Sequence, residues 1–240
     1  MKIGLVSWKN RDNDIEFNVN EIKRYVRENR DVDLLCFGES FLQGFEGLCW
    51  TYEKDYKRAF SKDDEVIKEL RKLARDYKTA LSFGFIEKYE KNIYSSNMVI
   101  DSNGDIIDIF KRVSKGWKEA IATEEYKEGT GFHSFILNSK LFVTAICGDL
   151  WHDDLLEKID EISADIMLWP LYIDYSIEQW NSEALYEYQE RVKGIKCPVM
   201  MINSFVDLPD RANGGCYVFL NGSVDQLLPM GNIGVLKVEI

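Results

Sequence analysis

The feature that most restricts this chain is a regular exchange of short apolar runs with longer amphipathic ones. Ile3 to Val6 reads as a strand, and Ile15, Val19, Ile22 and Val26 follow it at helical spacing. Leu34 to Phe37 is a second apolar run, after which Val66, Ile67, Leu70, Leu73, Ala74 and Tyr77 keep one face of a helix. The pattern then predicts strands over Thr79 to Ile86, Asn97 to Ile100 and Ile106 to Phe110, with Asn103-Gly104 as a hairpin turn before the last. The exchange continues beyond the middle of the chain. Phe142 to Ile146 reads as a buried strand, and a short helix carries Leu155, Leu156, Ile159 and Ile162. Asp165 to Trp169 is a strand, and a longer helical pattern runs through Ile177, Trp180, Ala184, Tyr188 and Ile195. Val199 to Ile202, Cys216 to Leu220 and Val235 to Ile240 complete the series, with Asn221-Gly222 as a second hairpin signal. Strands alternating with helices make an α/β fold, and the hairpins add antiparallel pairs, so the sheets are expected to be mixed.

Hydrophobic residues at 45% supply a sizeable core, and four prolines with no Pro/Gly/Ser-rich tract leave no linker, so one domain over residues 1–240 is expected. No run approaches the ~18 apolar residues of a membrane span. The apolar start, Met1 to Ser7, is too short for a signal peptide and reads as the first strand. A net charge of −11, from 30 basic and 41 acidic side chains, disfavours nucleic acid and anionic membrane as partners, since both need a basic footprint. Cys36, Cys49, Cys147, Cys197 and Cys216 are odd in number and contain no CxxC pair. Neither a disulfide framework nor a structural zinc site is suggested, and reduced thiols in a cytoplasm are the simplest account.

Two strand ends carry the candidate chemistry. At the first, Cys147 stands where an apolar run gives way to Gly148, which permits a sharp turn that can lift a side chain out of a sheet edge. At the second, Leu34-Leu35-Cys36-Phe37 runs into Gly38-Glu39-Ser40. A carboxylate there can take the thiol proton, pass it to a leaving amine and then activate water, if partial burial raises its pKa. The stretch Phe110 to Glu119 holds four cations, Lys111, Arg112, Lys115 and Lys118, any of which offers positive charge to a tetrahedral oxyanion. Carboxylate, cation and thiol together make a covalent amide hydrolase. Histidine chemistry is not expected from His133 and His152, and His152 with Asp153 and Asp154 is weak as a metal site, so no metal is expected. Gly44 to Gly47 lacks the lysine of a phosphate loop.

With these residues in view, the chain resembles the nitrilase, or carbon–nitrogen hydrolase, superfamily from end to end. Leu35 to Phe45 looks like the family's glutamate motif, with Gly38 where a proline is usual, and Ala145 to Asp149 is similar to its cysteine motif. Gly84-Phe85-Ile86-Glu87, Asp101-Ser102-Asn103-Gly104, Trp169-Pro170 and Gly214-Gly215-Cys216 add supporting matches in the same order. The resemblance implies a four-layer α-β-β-α sandwich, a homodimer or higher homo-oligomer, a Glu-Lys-Cys triad and no cofactor. Carried over, Glu39 is the general base and acid, and Cys147 is the nucleophile that forms a thioester. The lysine slot holds Arg112, which stays charged and binds an oxyanion through its fork but exchanges no proton near neutral pH. Lys115, just past the strand, is the alternative. A second family glutamate corresponds to Glu119, with Glu124 and Glu125 competing. Gly148, Trp151 and Tyr172 are expected near the substrate, although the two aromatics could equally pack the core. Tyr52, Tyr56, Trp117 and Trp180 make the loops at 44–60, 113–130 and 171–180 aromatic-rich. The expected activity is hydrolysis of a small linear amide or carbamoyl compound. A binding protein that has lost competence at Arg112 and an acyl transferase using the same thioester remain as other readings.

Overall fold

The computed structural model describes residues 1–240. Twelve strands form two six-stranded sheets. The first has the order β12-β1-β2-β3-β4-β5, built from β1 (Lys2–Ser7), β2 (Leu34–Cys36), β3 (Ala80–Tyr89), β4 (Asn92–Ile100), β5 (Ile106–Lys111) and β12 (Gly234–Glu239). The second has the order β11-β10-β9-β8-β7-β6, built from β6 (Ser134–Leu137), β7 (Lys140–Thr144), β8 (Ile166–Leu171), β9 (Val199–Asn203), β10 (Cys216–Leu220) and β11 (Ser223–Leu228). Each sheet is mixed. The central neighbours β1, β2 and β3 run parallel, as do β7, β8 and β9, while the outer pairs are antiparallel.

Side-chain alternation along each strand divides the apolar residues between two cores. Leu34 and Cys36 face the second sheet, where Ile166, Leu168, Met200 and Val218 meet them in a common cluster. Leu35 and Phe37 face outward, against Val19, Ile22 and Val26 of α1 (Ile15–Glu28) and Ile67 and Leu70 of α3 (Glu65–Tyr77). On the other side Met167, Trp169 and Leu171 pack beneath Trp180, Ala184, Tyr188 and Val192. The layers are therefore α-β-β-α. A central side chain such as Leu35, with no exposed surface, contributes roughly 1.5–3 kcal/mol by burial. The helix α1 begins where Asp14 accepts a hydrogen bond from the Phe17 N–H at 3.1 Å, satisfying an otherwise orphaned donor.

Some elements differ from the pattern read in the sequence. The 44–60 loop contains a short helix, α2 (Tyr52–Arg58). The strand β6 is only four residues long, and its Ile136 points outward, which hides it from a periodicity reading. The hairpin at Asn221-Gly222 has both residues at positive φ, as a two-residue turn requires, and produces the edge strand β11. The Asn103-Gly104 turn is longer, spanning Asp101 to Asp105, because Asp101 accepts from the Asn103 and Asp105 N–H groups. The expected short helix after Cys147 is α4 (Asp153–Asp160), whereas the expected long helix from Ile177 is broken: α5 (Ile177–Gln179) passes through a π turn (Trp180–Ala184) into α6 (Leu185–Val192). The π turn carries Trp180 into the core, where its indole donates to the Tyr217 hydroxyl at 2.7 Å. Trp180 is thus a core residue and not part of an aromatic loop. No helix is long and apolar enough to cross a membrane.

Candidate active site

Three chain segments converge at one end of the two sheets. The β2 segment leaves the ladder at Cys36, and Phe37 N–H still donates to Ser82 O at 2.8 Å. Glu39 follows, locked on both sides by its own backbone: its N–H donates to Leu171 O at 3.2 Å, and its carbonyl accepts from Ser204 Oγ at 3.2 Å. A Cβ on Gly38 would overlap Ser204 Oγ, which accounts for glycine where a proline is usual. Glu39 is 1% exposed. Its Oε1 accepts from Ser95 Oγ at 3.0 Å and from Arg112 Nη1 at 3.1 Å, whereas its Oε2 is buried with no other fixed partner.

Arg112 sits just past β5. Its side chain is nearly enclosed, with Nη1 on Glu39 and Nε donating to Ser114 Oγ at 2.9 Å. Between the two cations left open by the sequence, Arg112 is the one that reaches the carboxylate. Lys115 is exposed and enters no ion pair. Lys111 lies on the opposite face, 3.9 Å from Glu87.

Cys147 opens a 3₁₀ turn (Cys147–Trp151) after Ala145 and Ile146 have carried the chain out of β7, at φ +43°. That conformation is uncommon for a side-chain-bearing residue and is held by its surroundings. The Cys147 carbonyl accepts from Trp169 Nε1 at 2.9 Å. Asp149, fully buried, accepts from the N–H groups of Ile146 at 2.8 Å, Val113 at 3.0 Å and Ser114 at 2.6 Å. One carboxylate therefore ties the cysteine turn to the arginine segment. Gly148 serves the same junction, because a Cβ there would overlap Arg112 Nη2. The sequence reading missed Ser95, Ser114 and Asp149 as partners. Asp149 lay inside the cysteine motif, but nothing local marks the two serines.

The electrostatics follow from burial. Desolvation pushes the Glu39 carboxyl above the usual carboxylate range, against the pull of Arg112 and Ser95. Burial, then the Glu39 charge, pushes the Cys147 thiol up to about 12, although Arg112 and the Tyr172 N–H oppose this. Desolvation works to depress the Arg112 guanidinium, but Glu39, Cys147 and Asp149 outweigh it and keep it charged. The thiol is thus not a standing thiolate. It needs a base, and the Glu39 carboxylate is the nearby charge that raises it most.

The other expected residues fall into two groups. Glu119 lines a cavity of about 160 Å³ with Ser40, Ser95 and Trp117. Tyr172 is buried and stacks on Phe45 at 4.3 Å, and its backbone N–H acts to lower the Cys147 thiol. Trp151 is 39% exposed and packs edge-on against Tyr188. Tyr52 and Tyr56 turn away, donating to the carbonyls of Lys91 and Glu90 in the β3–β4 hairpin, so they do not face the cavity. His133 pairs with Asp108 at 2.6 Å, while His152 is exposed, and nowhere do three ligand-type side chains converge.

The profile of the carbon–nitrogen hydrolase family matches residues 2–225. The chain belongs to that family. Among curated relatives, an N-carbamoylputrescine amidase of Arabidopsis thaliana is 27% identical over 169 residues, covering 67% of this chain and 55% of the relative. A bromoxynil-specific nitrilase of Klebsiella pneumoniae subsp. ozaenae is 31% identical over 109 residues, 42% of this chain and 30% of the relative. The matched regions thus span about a third to a half of those relatives. Among solved structures, an amidase from Nesterenkonia sp. superposes over 100% of this hydrolase-family chain and 90% of its own, with a TM-score of 0.82 at 16% identity. A glutamine-dependent NAD+ synthetase from Acinetobacter baumannii gives 0.80 at 17% identity, over 98% of this chain and 44% of its own. Both likenesses extend over the α-β-β-α sandwich.

Proposed function

We propose that this family member hydrolyses a non-peptide C–N bond in a small linear amide or carbamoyl compound through a Cys147 thioester. The observation that carries the reading is the buried Glu39 carboxylate, with one oxygen held by Arg112 and Ser95 and the other without a fixed partner beside the thiol. Glu39 Oε2 takes the Sγ proton as sulfur bonds to the carbonyl carbon, and Arg112 with nearby backbone N–H groups balances the oxyanion. Glu39 then protonates the nitrogen, the C–N bond breaks and the amine leaves. Water gives a proton to Glu39 and its oxygen to the acyl carbon, the C–S bond breaks, and the acid and the thiol are regenerated. A glutamate-to-leucine mutant of a Nesterenkonia amidase, with the acetamide moiety of fluoroacetamide covalently added at its active site cysteine, supports by analogy a nucleophilic cysteine, although not the thioester itself. The reading extends to a single hydrolase domain over 1–240, a homodimer, and a cytoplasmic setting in which all five cysteines stay free.

Intact-protein mass spectrometry after brief exposure to simple amides, nitriles and carbamoyl compounds tests this. An acyl adduct on the unsubstituted protein, absent from Cys147→Ala, is the expected result. A specific observation favours a second reading, that of a binding protein: Arg112 exchanges no proton where the family uses lysine. If no compound forms an adduct and Cys147 reacts with thiol probes no faster than a free thiol, that second reading replaces the first. A monodisperse monomer in sedimentation would remove the homodimer.

A further inference from the structure

The cavity beside the triad has a chemistry of its own. Ser95, whose hydroxyl donates to Glu39, and Ser40, the residue after Glu39, belong to its lining, so the cavity lies next to the carboxylate without Glu39, Arg112 or Cys147 forming its wall. At about 160 Å³ it suits a short chain, being smaller than a drug-sized site. Two carboxylates, Glu46 and Glu119, line it, and no lysine or arginine does. Trp50 and Trp117 form an aromatic wall with ring centres 6.1 Å apart. Trp50 is held at φ +58°, a conformation that a tryptophan adopts only when its surroundings impose it. Two further lining groups are buried and lack partners: the Ser40 hydroxyl, in a residue 1% exposed, and the Trp117 indole N–H, in a residue 6% exposed. Buried polar groups in such a position are normally satisfied by water or by a ligand.

Carboxylates and indole faces attract positive charge by Coulomb and cation–π forces together. Of the cations around the cavity, the buried Arg112 is already taken up by Glu39. Arg211 lies 3.7 Å from Glu46, but both side chains are about 40% exposed, so the pair holds little energy. Lys115, beside the lining Gly116, is exposed, and Lys118 is paired with Glu128.

We infer that the substrate is an amide or carbamoyl compound bearing an ammonium group a few atoms from the scissile bond, seated between Glu119, Glu46 and the Trp50–Trp117 wall. This rests on the hydrolase reading for the identity of the scissile bond, and it stands or falls separately on charge. Three amides of similar size separate the cases: γ-aminobutyramide, butyramide and succinamic acid. Calorimetric binding to the Cys147→Ala protein requires no turnover. The cationic amide is expected to bind at least about tenfold tighter than butyramide, with succinamic acid weakest. The combined Glu46→Gln and Glu119→Gln substitutions are expected to compress that ratio to within about threefold, as is high salt. Equal binding of the cationic and neutral amides, tighter binding of the anion, or no binding by any of the three overturns the inference. Ammonia release by the unsubstituted protein is followed in parallel. Preference without turnover removes the hydrolase reading and leaves the cation site, whereas turnover without preference does the reverse.

Discussion

Lys111 and Arg112 are neighbours in sequence, yet each belongs to a different carboxylate. Arg112 meets Glu39 at 3.1 Å with both side chains buried, while Lys111 stands 3.9 Å from Glu87 with a quarter of its surface in water. The serines divide in the same way. Ser95 donates to Glu39 at 3.0 Å and Ser96 donates to Glu87 at 2.7 Å. Two serine–carboxylate–cation sets thus lie back to back across one strand pair, separated by the alternation of β4 and β5. Burial raises both carboxyl groups above their ordinary range. What distinguishes them is the second sheet. Only Glu39 acts on the Cys147 thiol, and only Glu39 keeps a fully buried oxygen without a fixed partner. Lys111 instead rests over the rings of Tyr89 and Tyr94 at 4.0 and 4.3 Å, a structural use of its charge. A buried ion pair is therefore not enough to make a site. On the proposed reading, what makes one is an unfilled acceptor facing a thiol.

The sharpest way to break this comparison is activity. Cys147→Ala and Glu39→Gln are each expected to lower amide turnover at least about a thousandfold, while Lys111→Ala and Glu87→Gln change it less than about threefold. Steady-state rates on the first substrate identified decide it, and comparable losses on both faces would erase the distinction. Stability should separate the pairs next. Glu39→Leu leaves the Arg112 guanidinium buried and unpaired, an expected loss of about 3–5 kcal/mol in urea unfolding. Glu87→Leu leaves Lys111 free to reach water, and about 1 kcal/mol or less is expected.

Smaller changes test the fit around the guanidinium. Gly148→Ala places a methyl on Arg112 Nη2, so an unfolding loss of about 1–3 kcal/mol and a lowered kcat are expected. Arg112→Lys forfeits either the Glu39 or the Ser114 contact, because one ammonium does not reproduce the fork, and roughly a hundredfold drop in kcat/KM is expected. Full activity in Arg112→Lys would mean that the fork is not needed. The finest effect is on pH. With the Glu39 carboxyl raised in the fold, the native protein keeps a proton that the unfolded chain has already released. Stability then falls as pH rises from the ordinary carboxylate range to the raised value, by at most about 1.4 kcal/mol per pH unit. Glu39→Gln should flatten that slope in urea titrations, and Glu87→Gln should flatten a separate share of it.

Much of this architecture could be read from the residues because it rests on local periodicity. The apolar runs at Leu34 to Phe37 and Phe142 to Ile146, and the helical stripes at 15–26 and 66–77, encode which face of each element must leave water, and that is enough for strands and helices in layers. The strand ends at Glu39 and Cys147 stood out for the same reason, since a polar residue closing an apolar run is visible in one dimension. Family resemblance added the pairing of those two ends. What one dimension did not contain were contacts between segments far apart in sequence. Ser95 is an ordinary strand residue until β4 lies beside Glu39, and Ser114 is an ordinary loop residue until Arg112 folds back on it. Asp149 becomes a clamp only where β5 and the cysteine turn meet. Tertiary structure also moved Trp180 into the core and turned Tyr52 and Tyr56 onto a hairpin, against the aromatic-loop expectation. It also set Arg112, and not the exposed Lys115, against Glu39. The sequence by itself determined which surfaces are apolar and where charge interrupts them. Only the folded chain decided which charges face each other, because electrostatic partnership depends on distance and burial in space and not on order along the backbone.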